Sequence, residues 1–153
     1  MHNKTYIIAE IGINHNGDLK ICKQLIDIAK SSGCDAVKFQ KRSIDKVYSE
    51  KVLNTLRDSP WGTTQREQKT GLEFGAEQYQ EIENYCKSKG LEWFASAWDI
   101  NSQKFLRQFN TKYNKVGRAF ILPSTIFRDV YISGFIHHFL KLNLNNKYNK
   151  DRS

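Results

Sequence analysis

Four short apolar runs alternate with amphipathic stretches along this chain, and that alternation constrains its fold more than any other feature. Tyr6–Ile13, Asp35–Gln40, Leu91–Ala97 and Tyr113–Val116 are rich in β-branched and aromatic residues, the composition of strands. Between the first two runs, Leu19, Cys22, Leu25, Ile26 and Ala29 recur at helical spacing. Asp18 is placed to cap that helix and Gly33 to end it. Ala76–Ser88 repeats the pattern, with Tyr79, Ile82 and either Tyr85 or Cys86 on one face, and Gly90 closes it. Ser102–Phe109 predicts a further short helix. Strand–helix–strand units build parallel sheets, because a parallel pair needs a long crossover. The order β-α-β-(α)-α-β-α-β predicts an α/β fold with parallel strands, wound in one direction as a barrel.

The stretch Arg42–Gly75 interrupts this rhythm. Asp45–Arg57 predicts one short helix, Ser59–Thr64 a turn, and Arg66–Phe74 a polar segment with a few apolar anchors. Connections this long are uncommon unless they cover a site.

Each strand carries polar residues that its own burial does not require. Glu10 lies in the first, Lys38 and Gln40 in the second, Ser96 and Asp99 at the end of the third, and Lys115 in the fourth. In parallel α/β folds the C-terminal strand ends face the ligand. Lys38 and Gln40 are two apart, so they share one side of a strand, while Val37 and Phe39 share the other. A lysine flanked by Val and Phe is costly to bury without an anion. One acid and two lysines at one mouth suit a phosphorylated or carboxylated small molecule. The same residues allow a plainer reading, a structural ion pair between Glu10 and Lys38 on neighbouring strands. Asn14 and His15 belong to the loop after the first strand, where His15 is a loop residue or a ligand. Ser96 and Asp99 also suit ordinary turn chemistry.

The net charge of +8 is uneven, since residues 117–153 hold 6 Lys+Arg against 2 Asp+Glu, half of the excess. That tail has no aromatic-interleaved basic motif, which excludes a recognisable nucleic-acid reader. No apolar run approaches the roughly 18 residues of a membrane helix. The start has neither the apolar stretch nor the cleavage site of a secretion signal. Cys22, Cys34 and Cys86 form an odd set without C-x-x-C spacing, which predicts free thiols in a reducing cytoplasm.

The segments Ile8-Ala9-Glu10-Ile11-Gly12-Ile13-Asn14-His15-Asn16-Gly17-Asp18 and Ala36-Val37-Lys38-Phe39-Gln40-Lys41-Arg42 resemble the start of the sialic acid synthases (N-acetylneuraminate synthases). Ser59-Pro60-Trp61-Gly62-Thr63, Leu72-Glu73-Phe74-Gly75 and Trp93-Phe94-Ala95-Ser96 continue the resemblance, which runs from about residue 6 to Val116. The related legionaminate and pseudaminate synthases share these motifs. The resemblance implies a TIM barrel, of which this chain holds about the first four β/α units, and a cytoplasmic enzyme of carbohydrate biosynthesis. That enzyme condenses phosphoenolpyruvate with N-acetylmannosamine or a related N-acetylated amino sugar. By similarity Glu10 is catalytic, at the sugar and water end, and Lys38 and Lys115 hold the anionic groups of phosphoenolpyruvate. Gln40 contacts the sugar, and Ser96 completes the substrate-binding set, with Asn14, His15 and Asp99 as further candidates. A divalent metal, manganese or magnesium, is expected for the full-length family, and its ligands are expected outside this chain. The family is typically a homodimer.

Two departures stand out. Ser96-Ala97-Trp98-Asp99 lacks a proline or hydroxyl that the family places there, and Gly117-Arg118-Ala119-Phe120 departs from the family's next strand end. This predicts a barrel portion over 1–116 and a divergent basic tail over 117–153, as a frameshift or a disordered end would produce. The adjacent His137-His138 are poorly spaced for a paired metal site. A truncated barrel is expected to be inactive alone. The competing class is a non-catalytic α/β fragment that binds an anion or a partner chain.

Overall fold

The structure, a computed structural model, describes residues 5–116; the predicted tail and His137-His138 lie outside the described residues. Four strands, β1 (Ile8–Gly12), β2 (Ala36–Lys41), β5 (Glu92–Ala97) and β6 (Lys115–Val116), form one sheet in the order β1-β2-β5-β6. All three pairings are parallel. The strand order follows the chain order, so the sheet winds in one direction.

Helix α1 (Leu19–Ser31) forms where the apolar spacing predicted it. The Asp18 carboxylate accepts from the backbone N–H groups of Lys20 and Ile21, satisfying donors the first turn leaves open. Gly33 follows its end at φ +79°, the left-handed region that glycine enters without steric cost. Helix α5 (Ala76–Ser88) buries Tyr79, Ile82 and Cys86. Of the two alternatives at its last turn, Cys86 is the buried one, and Tyr85 stays half-buried with its hydroxyl donating to Asp27. Helix α6 (Ile100–Leu106) starts two residues earlier than its spacing predicts, because Asp99 caps it.

The alternation along β2 decides which face is dry. Val37 and Phe39 are wholly buried among Cys22, Ile26, Ile82, Cys86 and Trp93, on the helix side of the sheet. Tyr79 is the hub of that layer, with the rings of Trp93, Phe105 and Phe109 at centroid distances of 5.5–5.8 Å. Burial pushes the Cys22 and Cys86 thiols up to about 12, which keeps both protonated and inert.

The predicted helix over Asp45–Arg57 is a correction. That segment is two single turns, α2 (Ile44–Val47) and α3 (Glu50–Leu53), followed by β3 (Leu56–Ser59). β3 pairs antiparallel with β4 (Gly62–Thr64), making a hairpin about the Ser59-Pro60-Trp61-Gly62 turn. The polar segment after it is helix α4 (Gln65–Gly71). Its start was written in the chain as Thr64-Gln65-Arg66-Glu67, the Thr-x-x-Glu pattern of a capping box. Glu67 Oε2 accepts from the Thr63 and Thr64 N–H groups at 2.9 and 3.0 Å.

Candidate functional site

Parallel register places the predicted polar residues in two adjoining rows. Glu10 is opposite Lys38, which is opposite Phe94. Gln40 is opposite Ser96, which is opposite Lys115. Registered neighbours on parallel strands share a face, so Glu10, Lys38, Gln40, Ser96 and Lys115 lie together on the face away from the helices. The structural pair anticipated between Glu10 and Lys38 forms: Glu10 Oε2 meets Lys38 Nζ in an ion pair. The Glu10 side chain remains 55% exposed and that of Lys38 25%, so the pair stays open to water. A bulge after Glu10 turns Ile11 into the core and leaves the carboxylate beside Gly12.

The other candidates lie elsewhere. Asn14 is exposed in the turn after β1, its N–H donating to the Ile11 carbonyl at 2.9 Å. Asp99 is buried and occupied as a cap. Its carboxylate accepts from the Ser102 N–H at 2.8 Å and from the Ser43 N–H at 2.7 Å, tying the end of β2 to α6. These bonds hold its carboxyl below the ordinary value, against the upward push of burial.

His15 is 3% exposed and stacks on Phe74 at 4.0 Å. Its Nδ1 accepts from the Gly17 N–H at 3.1 Å. Burial, helped by the charge of Arg42 and opposed by a hydrogen bond to the Gly12 backbone, lowers its pKa to about 4. The imidazole is thus neutral in the fold, and an unfolded histidine titrates near 6.5. Between those values only the unfolded chain holds the extra proton, so stability falls as pH drops from about 6.5 towards 4. His15→Asn, which keeps an acceptor near the Nδ1 position, should flatten that slope in thermal unfolding scans. An unchanged slope would assign it to other groups.

Arg42 and Glu73 were not legible as site residues. Arg42 is 5% exposed, and its Nε donates to Glu73 Oε1 at 2.7 Å. Lys41 Nζ lies 3.4 Å from Glu73 Oε2 and donates to the Phe74 carbonyl at 2.6 Å. Arg42 Nη1 donates to Tyr48 Oη at 3.0 Å. One carboxylate from the α4–α5 connection therefore clamps two cations at the end of β2. The signal available was Lys41-Arg42 beside a strand end and a lone acid in Leu72-Glu73-Phe74. Their pairing crosses 31 residues of chain.

The long connection packs against the β1–α1 loop and, through Glu73, against the end of β2. Trp61 lies flat on Gly71, where a Cβ would sit 2.1 Å from the ring, and a Cβ on Gly17 would sit 2.1 Å from the Gly71 carbonyl oxygen. The hairpin, the end of α4 and the β1–α1 loop are thus stacked without side-chain spacers.

No group of three or more His, Cys, Asp or Glu among the described residues is placed to hold a metal ion. The described residues therefore do not fit the divalent metal the resemblance implies. Among the described residues no helix is long and apolar enough to cross a membrane.

Known proteins are similar to this chain in sequence and in fold. The chain is 40% identical over 114 residues to the human N-acetylneuraminate-9-phosphate synthase, covering 73% of this chain and 32% of that protein. It is 37% identical to the N,N'-diacetyllegionaminic acid synthase of Legionella pneumophila, covering 72% and 32%. The chain thus spans about a third of the length of the curated relatives it matches. The fold resembles the crystal structure of a sialic acid synthetase from Leptospira borgpetersenii, with a TM-score of 0.61 at 24% identity, covering 74% of this chain and 36% of that one. The pattern of the NeuB family matches residues 25–132, ending inside the segment 117–153. With that match over most of its length, this chain belongs to the NeuB family.

Proposed function

We propose that this chain carries the first four β/α units of a TIM barrel that condenses phosphoenolpyruvate with N-acetylmannosamine or a related N-acetylated amino sugar. The reading is supported above all by the two registered rows, which bring two lysines, an acid, an amide and a hydroxyl to one face. In the reaction, the methylene carbon of phosphoenolpyruvate forms a bond to the sugar's aldehyde carbon, whose oxygen takes up a proton. The cationic carbon left behind adds water and loses a proton, and the C–O bond to phosphate then breaks. Products are a nonulosonic acid and inorganic phosphate.

Lys38 and Lys115 would hold the carboxylate and phosphate of phosphoenolpyruvate, as charge-assisted donors. Glu10, beside Lys38, would sit at the sugar and water end, where a carboxylate favours the developing positive charge. Gln40 and Ser96, one row further along, would contact the sugar. Relatives named as N-acetylneuraminate-9-phosphate synthases bear on the sugar's identity. Three carbons of phosphoenolpyruvate become C1–C3 of the product, so a product phosphate on C9 comes from C6 of the sugar.

Binding rather than turnover tests these residues, since the chain spans a third of its relatives. Calorimetric titration with phosphoenolpyruvate should show Lys38→Met weakening binding about tenfold or more, the size of a charged hydrogen bond. Lys20→Met, on the exposed side of α1, should leave it unchanged. Equal affinity in both variants would remove Lys38 from the site.

A further inference from the structure

Asn16-Gly17 is the one Asn-Gly dipeptide in the chain. It lies in the turn between β1 and α1, with φ +51° at Asn16 and +67° at Gly17. Asparagine is thermolabile, and most so before glycine, which has no side chain to hinder attack of its own backbone nitrogen on the asparagine carboxamide. Two features of this fold bear on that attack. Asn16 is exposed and its side chain makes no hydrogen bond among the described residues, so the carboxamide can turn. The Gly17 N–H, whose proton must leave, donates to His15 Nδ1 at 3.1 Å, within the range at which a base accepts a proton. The imidazole is fixed there, buried and stacked on Phe74 at 4.0 Å. The amides of Asn14, Asn16 and Asp18 in the same turn donate instead to carbonyl oxygens, which are too weakly basic to take a proton.

We propose that Asn16-Gly17 is a self-modification site, where His15 acts as the base and Asn16 is converted to aspartate and isoaspartate. His15 Nδ1 takes the Gly17 amide proton as the Gly17 nitrogen bonds to Cγ of Asn16. The bond from Cγ to the carboxamide nitrogen breaks, and the proton passes to that nitrogen, which leaves as ammonia. A five-membered imide remains, and His15 is neutral again. Water then opens the ring. Addition at Cγ gives aspartate, and addition at the Asn16 backbone carbonyl gives isoaspartate, in which the main chain runs through the side chain. In sum, a carboxamide and a water give a carboxylic acid and ammonia. Isoaspartate lengthens the backbone by one carbon just before Gly17, where a Cβ would already sit 2.1 Å from the Gly71 carbonyl oxygen. The extra atom has no room there, so the modified β1–α1 loop separates from the end of α4. The site is a slow, irreversible release of the loop that follows Glu10, and it does not depend on the condensation proposed above.

The test incubates the full chain and follows its tryptic peptide Thr5–Lys20 by mass spectrometry, with isoaspartyl methyltransferase counting isoaspartate. Asn16 should convert while Asn14, exposed in the same turn, does not. In the native chain the rate should stay level between about pH 7 and pH 5. His15 remains neutral there, and Arg42, whose charge acts on the ring, keeps its proton. The free peptide Ile13–Leu19, in which nothing fixes the base, should slow about tenfold per pH unit as hydroxide falls. His15→Asn, which keeps an acceptor but no base, should slow the folded chain about tenfold or more. Asn16→Gly, which suits the left-handed φ, should give no product. After equal incubation the native chain should melt about 4 °C or more below that variant. An Asn16 that lasts as long as Asn14, a native rate that falls with pH as the peptide's does, or an unchanged rate in folded His15→Asn overturns the proposal. The pH series needs no variant, so it decides even where His15→Asn does not fold. An unchanged melting point in chains shown to carry isoaspartate overturns the release of the loop.

Discussion

Glu73→Leu should destabilise the fold by about 3–5 kcal/mol, the cost of stranding buried charge when one partner of an ion pair is removed. Glu73 accepts from Arg42 Nε at 2.7 Å and from the Arg42 backbone N–H at 3.3 Å, and its other contact is Lys41. The side chains of Arg42 and Lys41 are 4% and 13% exposed, so neither can recover its hydration in place. Leucine fills similar volume, which isolates the electrostatic loss from a packing loss. Glu73→Gln keeps an oxygen for Arg42 and should cost less, about 1–2 kcal/mol. Urea unfolding at neutral pH measures both. A loss below about 1 kcal/mol for the leucine variant would mean that Arg42 and Lys41 find water or another acceptor. The clamp matters for the site because Lys41 and Arg42 end the strand that carries Lys38 and Gln40.

Gly17→Ala carries the second large effect, about 3 kcal/mol or more, from two separate causes. Gly17 has φ +67°, where a Cβ meets its own backbone. In addition, that Cβ would lie 2.1 Å from the carbonyl oxygen of Gly71. The obstacle is backbone, so no side-chain rotation relieves it. Either the β1–α1 loop or the end of α4 must move, and Trp61 rests on the same Gly71. Gly33→Ala is the control: its φ is +79°, and nothing lies within 4 Å of the added methyl. It should cost only the conformational part, about 1 kcal/mol. Thermal or urea unfolding of the two variants separates strain from collision, and equal losses would show that Gly71 yields freely.

The contrast between these positions explains which parts were readable. Each strand of the main sheet announces itself by local composition, and α1 and α5 by period, caps and closing glycines. The opposite placement of Val37 and Phe39 against Lys38 and Gln40 follows from the pleat alone. The stretch 42–75 resisted because its elements are a hairpin of short strands, two single-turn helices and α4, which buries no residue fully. With few buried apolar side chains there is little periodicity to read. Its order comes from capping at Thr64 and from contacts such as Arg66 with Asp45 and Glu50. His15 and Asp99 show the complementary difficulty. A histidine after a strand and an acid before a helix look alike whether they meet ligand or backbone. Only their partners, Phe74 and Gly17 for one and Ser43 and Ser102 for the other, separate those roles.

The sequence by itself determined the strand and helix alternation, the parallel sheet, the two faces of β2 and the set of polar residues gathered at the strand ends. These follow from chain-local rules of pleat, helical period and capping. Tertiary structure alone decided the register that sets Glu10 beside Lys38 and Gln40 beside Ser96 and Lys115. It also decided the burial that keeps His15 neutral and the clamp of Glu73 on Lys41 and Arg42. Each of these depends on the distance between residues far apart in the chain, and that distance exists only once the sheet has formed and the long connection has packed against the end of β2.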